Sequence, residues 1–308
     1  MSENKILTAN ESRFTAGNYS EALTAFTVGW KSPDNLEEIL DFIAPPIPVG
    51  RRFEFKRSDN AQAFYSESDD VRSIGAEFKR VSYSGSTVNE KTINKGLTIR
   101  IDHDEIADDD WQERYVQMLL QRLLRNELRR AVAALESISK TGDAVSWTSS
   151  DNPDADIRNM LIEAGNDSGV RPNRLLIGEI AWDMRMSCLE QQNSAVAFKA
   201  SAMAQEELAG KFLLDGCKVM SARYQSTPLA KNQIAGRNLY AFYAQNSISK
   251  DEPSNLKRFF TPMQEGTPFR VYCDESAKYT DITVEHYSSI VATSELGARK
   301  LTIQEEGE

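Results

Sequence analysis

Histidine is nearly missing from this chain: His103 and His286 are the only two among 308 residues. With so little imidazole there is no HExxH pair, and no serine or cysteine is arranged with a histidine as in a hydrolase triad. A GxSxG turn is absent too. Cysteine is also sparse. Cys188, Cys217 and Cys273 are scattered without a close pair, which gives neither a disulfide framework nor a zinc-ribbon spacing. They read as small buried hydrophobes in reducing surroundings. No stretch approaches eighteen uncharged apolar residues, so no membrane span is expected. The polar start MSENKILTANESRF has no apolar signal core, so no secretion is expected. The chain also lacks a basic excess. Its net charge is −10, which argues against tight, general binding along nucleic-acid phosphates. Tyrosine and tryptophan are dispersed and form no stacking platform for single strands.

What remains is long enough for one large domain or two smaller ones with a sizeable core. LEEILDFIA (36–44) offers one or two helical turns. PPIPVG (45–50) follows, and three prolines in four residues end any helix there. Period-two alternation then marks half-exposed strands in RRFEFKR (51–57), in EFKRVSY (77–83), where Lys79, Val81 and Tyr83 share a side, and in GLTIRI (96–101). Between them lie the polar stretches 58–70 and 84–96. The whole segment has few large aliphatic residues and cannot bury much of its own surface, so it reads as a projecting hairpin that needs a neighbour.

From Trp111 to Ile138 there is no Gly or Pro, and Leu120, Leu124, Leu128, Ala131, Leu135 and Ile138 recur on one helical face. Those 28 residues predict a strut of roughly 42 Å, with Gly142 as its breaker. DADIRNMLIEAGNDSG (154–169) predicts a second helix, with Ile157, Leu161 and Ala164 inward and acids in the first turn. RPNRLLIGEIAW (171–182) predicts a short strand leading into a helix, and another short helix is expected near Ala204–Ala209. FLLDGCKVMSA, NLYAFYAQ, PFRVYCDE, YTDITVEHYSSIVATSE and ARKLTI read as strands. The fold class is α+β, with no βαβ succession and no Gly-rich phosphate loop expected.

One stretch has the look of a reactive cluster. IDHDEIADDDW (101–111) gathers Asp102, Asp104, Glu105, Asp108, Asp109 and Asp110 around His103. Carboxylates with a histidine suit Mg²⁺, Mn²⁺ or Ca²⁺, and a carboxylate-dependent metal enzyme is the reading they would support. The spacing matches neither an EF-hand nor HExxH. Asp108–Asp110 also precede the long helix, where side-chain oxygens cap free N–H groups. The structural reading explains most of these acids without a ligand, so no metal and no cofactor is expected. His286 alternates with Ile282 and Val284 on a predicted strand and reads as a buried structural histidine.

The order of elements resembles the major capsid proteins of tailed bacteriophages, whose architecture is the HK97-like fold. The resemblance rests on a polar extended hairpin (RRFEFKR through GLTIRI), a long helix (Trp111–Ile138), the segment RPNRLLIGEIAWDMR (171–185) and closing strands. It implies an N-terminal arm at 1–48, an extended loop at 49–102, and a peripheral domain with the spine helix at 103–170. An axial domain at 171–261 and a return to the peripheral domain at 262–308 complete it. The activity it implies is self-assembly into the hexamers and pentamers of an icosahedral shell around packaged double-stranded DNA, and no enzyme. The expected inter-subunit contacts are Arg51, Arg52, Phe53, Phe55, Phe64, Tyr65, Phe78, Tyr83, Asp108, Asp109, Asp110, Arg122 and Arg129. Implied partners are further copies of the chain, a portal and a separate scaffolding protein. DNA is touched weakly and non-specifically, which suits an acidic chain, and no membrane is involved. The implied location is the virion, after assembly in the host cytoplasm. An encapsulin-like nanocompartment shell is the alternative within the same fold.

Overall fold

The computed structural model describes residues 18–57, 71–75, 77, 78, 80, 86–106, 108–246, 254–263 and 266–304, and the described part begins with two helices. They are α1 (Glu21–Gly29) and α2 (Leu36–Ile43). Ser20 caps α1, its hydroxyl accepting from the Leu23 amide at 3.3 Å. Leu36, Leu40 and Ile43 repeat at helical spacing, and all three are buried. The prolines stop α2, then form an edge strand, β1 (Pro46–Pro48). An edge is where strand prolines are tolerated.

A two-stranded antiparallel ribbon follows, β2 (Arg52–Arg57) against β3 (Ser86–Lys91), with Arg52 opposite Lys91 and Arg57 opposite Ser86. The pairing differs from the sequence expectation. Glu77, Phe78 and Arg80 are not in a strand, and the partner of β2 is the polar STVNEK, read above as part of a loop. Both faces of β3 are largely exposed, so no apolar alternation marks it. Lys79 and Val81–Tyr83 lie outside the described residues. β4 (Ile93–Asp102) then leaves the ribbon and enters the body.

The predicted strut is α3 (Trp111–Ile138). Its stop is at Ser139 rather than Gly142. Ser139 is extended, and its hydroxyl donates to the Leu135 carbonyl at 2.7 Å. The short strands β5 (Lys140–Thr141) and β6 (Val145–Ser146) precede α4 (Pro153–Ser168). Next come β7 (Arg174–Gly178), α5 (Glu179–Gln191), α6 (Ala195–Ser201), α7 (Gln205–Lys211) and β8 (Gly216–Met220). β7 and β8 pair in parallel across these three helices, so the chain contains a βαβ-type crossover, against the expectation of none. The crossover is one 13-residue helix and two of seven residues, one of them the unheralded AVAFKAS, rather than a single long helix. Gly178 turns β7 into α5 where the Gly236 carbonyl presses in: a Cβ there would lie 2.0 Å from that oxygen. A hairpin, β9 (Arg223–Gln225) and β10 (Lys231–Gln233), is followed by β11 (Asn238–Phe242), β12 (Leu256–Phe260), β13 (Arg270–Glu275), β14 (Tyr279–Ala292) and β15 (Arg299–Gln304).

Two larger sheets result. In the first, β14 is the organising strand. β4 runs antiparallel along Tyr279–Ser288, β13 pairs at Thr280–Glu285 and β12 at Leu256–Phe260 opposite Ala292–Ser288, with β1 parallel to β12. The second has the order β5-β15-β11-β7-β8, with β6 also on β15. The expected segment boundaries do not coincide with these sheets. β12 lies in the first sheet although it falls within 171–261. β15 closes the second sheet although it falls within 262–308, with Leu301 opposite Leu239. From Tyr19 onward the expected arm is part of the body, since α2 is built into the main core.

α3 joins the two sheets. Its first half packs Val116, Leu119, Leu120 and Leu123 on Ile101, Val271, Ile282 and Val284 of the first sheet. Its second half packs Leu124, Leu128, Ala131 and Leu135 with α2 and with Leu176, Tyr240 and Phe242 of the second. The opposite face of the second sheet, with Leu175, Ile177, Leu239, Leu301 and Ile303, is covered by α4, α5 and α7. β7 is thus buried on both faces, which is why RLLIG reads as a continuous apolar run instead of an alternating one. Each large aliphatic side chain buried along α3 contributes about 1.5–3 kcal/mol, so the strut gets its stability from both sheets.

Candidate assembly surface

The expected contact residues fall into three groups. The first is the base of the ribbon. Phe53 and Phe55 are two apart on β2 and point to the same side. Both meet Phe259 of β12, with ring centroids 4.4 and 5.6 Å away, over Ile47. The Arg51 guanidinium lies 3.8 Å over the Tyr287 ring, and Arg57 pairs with Glu295 at 2.5 Å. The base of the ribbon is therefore anchored on its own chain. Phe55, only 2% exposed, belongs to the chain's own core and offers no surface to a neighbour. Phe53 is half-buried, and Arg52 stays exposed. Beside it a groove of about 970 Å³ runs between the β1–β2 turn and the ribbon, bounded by Pro48, Val49, Glu54, Asn89 and Lys91. Phe78 is exposed, with the Arg72 guanidinium 5.1 Å from its ring. Phe64, Tyr65 and Tyr83 lie outside the described residues. Because Phe259 is fully buried under two rings, Phe259→Ala should cost about 3–5 kcal/mol. Proteolysis near Arg57 should also accelerate, and both are measurable on the purified chain.

The second group is the acidic turn. β4 ends at Asp102, whose carboxylate accepts from the Asp104 amide at 3.1 Å and starts a single 3₁₀ turn, His103–Glu105. His103 Nε2 and Thr280 Oγ1 are 2.9 Å apart. Asp108 receives a bidentate pair from Arg114 at 2.9 and 3.1 Å. Asp110 occupies the N-cap position of α3, but its side chain makes no capping bond. The capping expectation is thus corrected: the backbone at Asp110 is not in the extended conformation that aims a cap, and the turn is held by Asp108–Arg114. Asp109 and Asp110 are exposed. Among the described residues, no three His, Cys, Asp or Glu side chains converge as metal ligands would.

The third group is on α3. Arg122 and Arg129 are seven residues apart and share a face. Both are exposed, and Arg129 lies 3.8 Å over the Tyr224 ring of the β9–β10 hairpin, binding strut to hairpin within one chain.

Sequence reasoning missed the polar centre between α3 and the first sheet. Glu127 is 2% exposed and takes Lys95 Nζ at 2.8 Å and Arg130 Nη1 at 2.6 Å on Oε1. Ser288 Oγ donates to its Oε2 at 2.9 Å, and Lys95 also reaches Ser288 Oγ at 3.1 Å. Burial pushes the Glu127 carboxyl upward, but the His286 ring and Lys95 more than offset that and hold it well below the usual carboxylate range. Lys95 is pulled below the usual lysine range by burial, with Glu127 pulling the other way. His286 is buried in β14, as its alternation with Ile282 and Val284 predicts. Its Nε2 is 3.8 Å from Glu127 Oε1, an electrostatic contact rather than a hydrogen bond. The available signal was an acid next to Leu128 on the apolar stripe, where a charge is normally excluded.

No protein-family model matches the chain, and no curated protein does. Solved structures do. A phage-related protein from Bordetella bronchiseptica RB50 is 18% identical, with 92% of this chain and 96% of that one covered at a TM-score of 0.66. The bacteriophage PhiM1 mature capsid gives 10% identity, 90% and 89% coverage and a TM-score of 0.49. A virus-like particle from Pyrococcus furiosus gives 14%, 91% and 96%, and 0.48. The first of these likenesses carries the conclusion: over nearly its whole length this chain has the α+β fold of that phage-related protein.

Proposed function

We propose that this chain is a major capsid protein of a tailed bacteriophage, which assembles into the hexamers and pentamers of an icosahedral shell enclosing double-stranded DNA. The observation that carries the reading is the ribbon, anchored through Phe53, Phe55 and Arg51 with its strand β3 largely exposed, in a chain that has the fold of a phage-related protein. An exposed two-stranded ribbon is marginal alone. Laid on a second copy it gains a partner, and repetition of that heterologous contact closes a shell. In this reading the first sheet with α3 is the peripheral domain, the second sheet with α4–α7 the axial domain, and the ribbon the extended loop. Asp109, Asp110, Arg52 and Arg122 are the exposed charges that meet a neighbour. The net charge of −10 lets the shell contain DNA without adhering to it. Portal and scaffold are separate chains, and the protein works by assembling in the host cytoplasm rather than by catalysis. No observation favours the encapsulin-like alternative.

The test is charge reversal. Asp109→Lys with Asp110→Lys should abolish or strongly reduce capsomers and shells while moving monomer stability by no more than about 1 kcal/mol, because both side chains are exposed. Sedimentation velocity and denaturant melts read the two effects separately. Normal shells from the double variant would remove these acids from the contact.

A further inference from the structure

A cavity of about 350 Å³ lies between α2, β1, α3, β12 and β14, and the assembly surface does not use it. Its lining is chemically mixed. Apolar Leu123, Leu124, Phe260 and Phe269 line it together with polar Glu37, Asp41, Glu127, Arg258 and His286. His286 is 6% exposed, and both of its ring nitrogens are buried without a hydrogen-bond partner. Orphaned buried polar atoms of this kind are costly unless something fills the space beside them. A neutral imidazole offers one acceptor nitrogen.

The charges choose the guest. Glu127 is balanced by Lys95 and by the half-exposed Arg130. Arg258 donates Nη2 to Asp41 Oδ1 at 2.7 Å, which balances that pair. Glu37 has no ion-pair partner among the described residues, and it stands one helical turn from Asp41, a like-charge spacing that destabilises a helix. Burial chiefly holds Asp41 above the usual carboxylate range, with Arg258 opposing and Glu37 adding to it. Arg258 Nε is also buried without a partner and would suit an oxygen, but a carboxylate guest would meet Glu37 and Asp41. A cation on an apolar stem satisfies the uncompensated acid, the orphaned imidazole and the apolar lining together.

We propose that this cavity binds a primary alkylammonium group, its ammonium donating to the Glu37 carboxylate and to an unpartnered ring nitrogen of His286, and its stem lying against Leu123, Leu124 and Phe269. The same chemistry is carried by a small free amine and by a lysine side chain of a second copy.

Two histidines make the experiment direct. The full chain, unassembled and labelled with ¹⁵N-histidine, is titrated with n-butylamine at constant pH, alongside n-butanol and butyrate. The His286 signals should shift saturably with half-saturation on the order of 10 mM or below, while those of His103 stay still. Glu37→Gln should abolish the saturation without moving His103, which certifies that the variant is folded. If raising protein concentration without amine shifts His286 in the same sense, the guest is a lysine of a second copy. If only the added amine shifts it, the guest is a free amine. Either result supports the site. A linear unsaturated response, equal saturation in Glu37→Gln, or saturation by butyrate would overturn it.

Discussion

Asp154→Ala should destabilise the protein by about 3–5 kcal/mol, a large share of what a typical domain has. Asp154 sits in the first turn of α4, yet it is buried and acts as the hub of an ionic cluster. Arg185 of α5 donates Nε to Oδ1 at 2.7 Å and Nη2 to Oδ2 at 3.2 Å, and Lys211 of α7 donates to Oδ2 at 2.6 Å. Arg185 is 0% exposed, and among the described residues its one further hydrogen bond is to the Ala200 carbonyl at 3.1 Å. Truncating the acid leaves a guanidinium buried with its charge unanswered. The cost comes from that stranding, not from the worth of the pair. Asp154→Leu combined with Arg185→Met should therefore recover most of the loss. Denaturant melts of the single and double variants measure both. A single variant within about 1 kcal/mol of the parent would disprove the account of this cluster.

Glu127→Ala should cost a similar amount, about 3–5 kcal/mol, and act elsewhere. It would leave Lys95 and Ser288 without their shared acceptor between α3 and the first sheet. Glu127→Gln keeps the shape but loses the charge, and should fall between the two. Both clusters also set the acid limit of the fold. Burial raises Glu127 and Asp154, but their cationic partners outweigh it and both carboxyls titrate below their usual range. Each contributes stability that is present above the unfolded-state value, near 4, and lost as pH falls toward the folded value. Asp41 acts in the opposite sense. Burial raises it, so its contribution is present at low pH and lost as pH rises through its folded value. Asp151 is lowered as well, by the hydrogen bonds it accepts from Thr148, so three groups stand against one and thermal stability should decline below about pH 4. Glu127→Gln should flatten part of that decline, and an unchanged slope would show that Glu127 is not its source.

The parts of the fold visible in the sequence are those whose pattern is local. The stripe Leu120–Leu124–Leu128–Ala131–Leu135 marks a helix because one face is apolar over many turns, and RLLIG marks a buried strand because both faces are. β3 left no such mark, since its neighbours in the fold are β2 and solvent. Which sheet a strand joins is not local at all. ARKLTI reads as a strand from its alternation, but its place beside β11 and not in the first sheet depends on Leu239, more than sixty residues earlier. The ribbon is the same case. Phe53 and Phe55 announce a face to be covered, but not that Phe259 of the same chain covers part of it. IDHDEIADDDW gave the strongest chemical signal and resolves into a turn, with Asp102 nucleating it and Asp108 clamped by Arg114. The two buried carboxylates that organise the molecule carry little local signal: Glu127 is marked only by its place on the apolar stripe of a highly charged helix, and Asp154 reads as a first-turn dipole residue.

The most direct measurement is negative-stain electron microscopy of the purified full chain, paired with sedimentation velocity across protein concentration and salt. The account predicts closed shells, or rings of five and six copies that convert to shells. A chain that stays monomeric or dimeric under every assembly condition would contradict it.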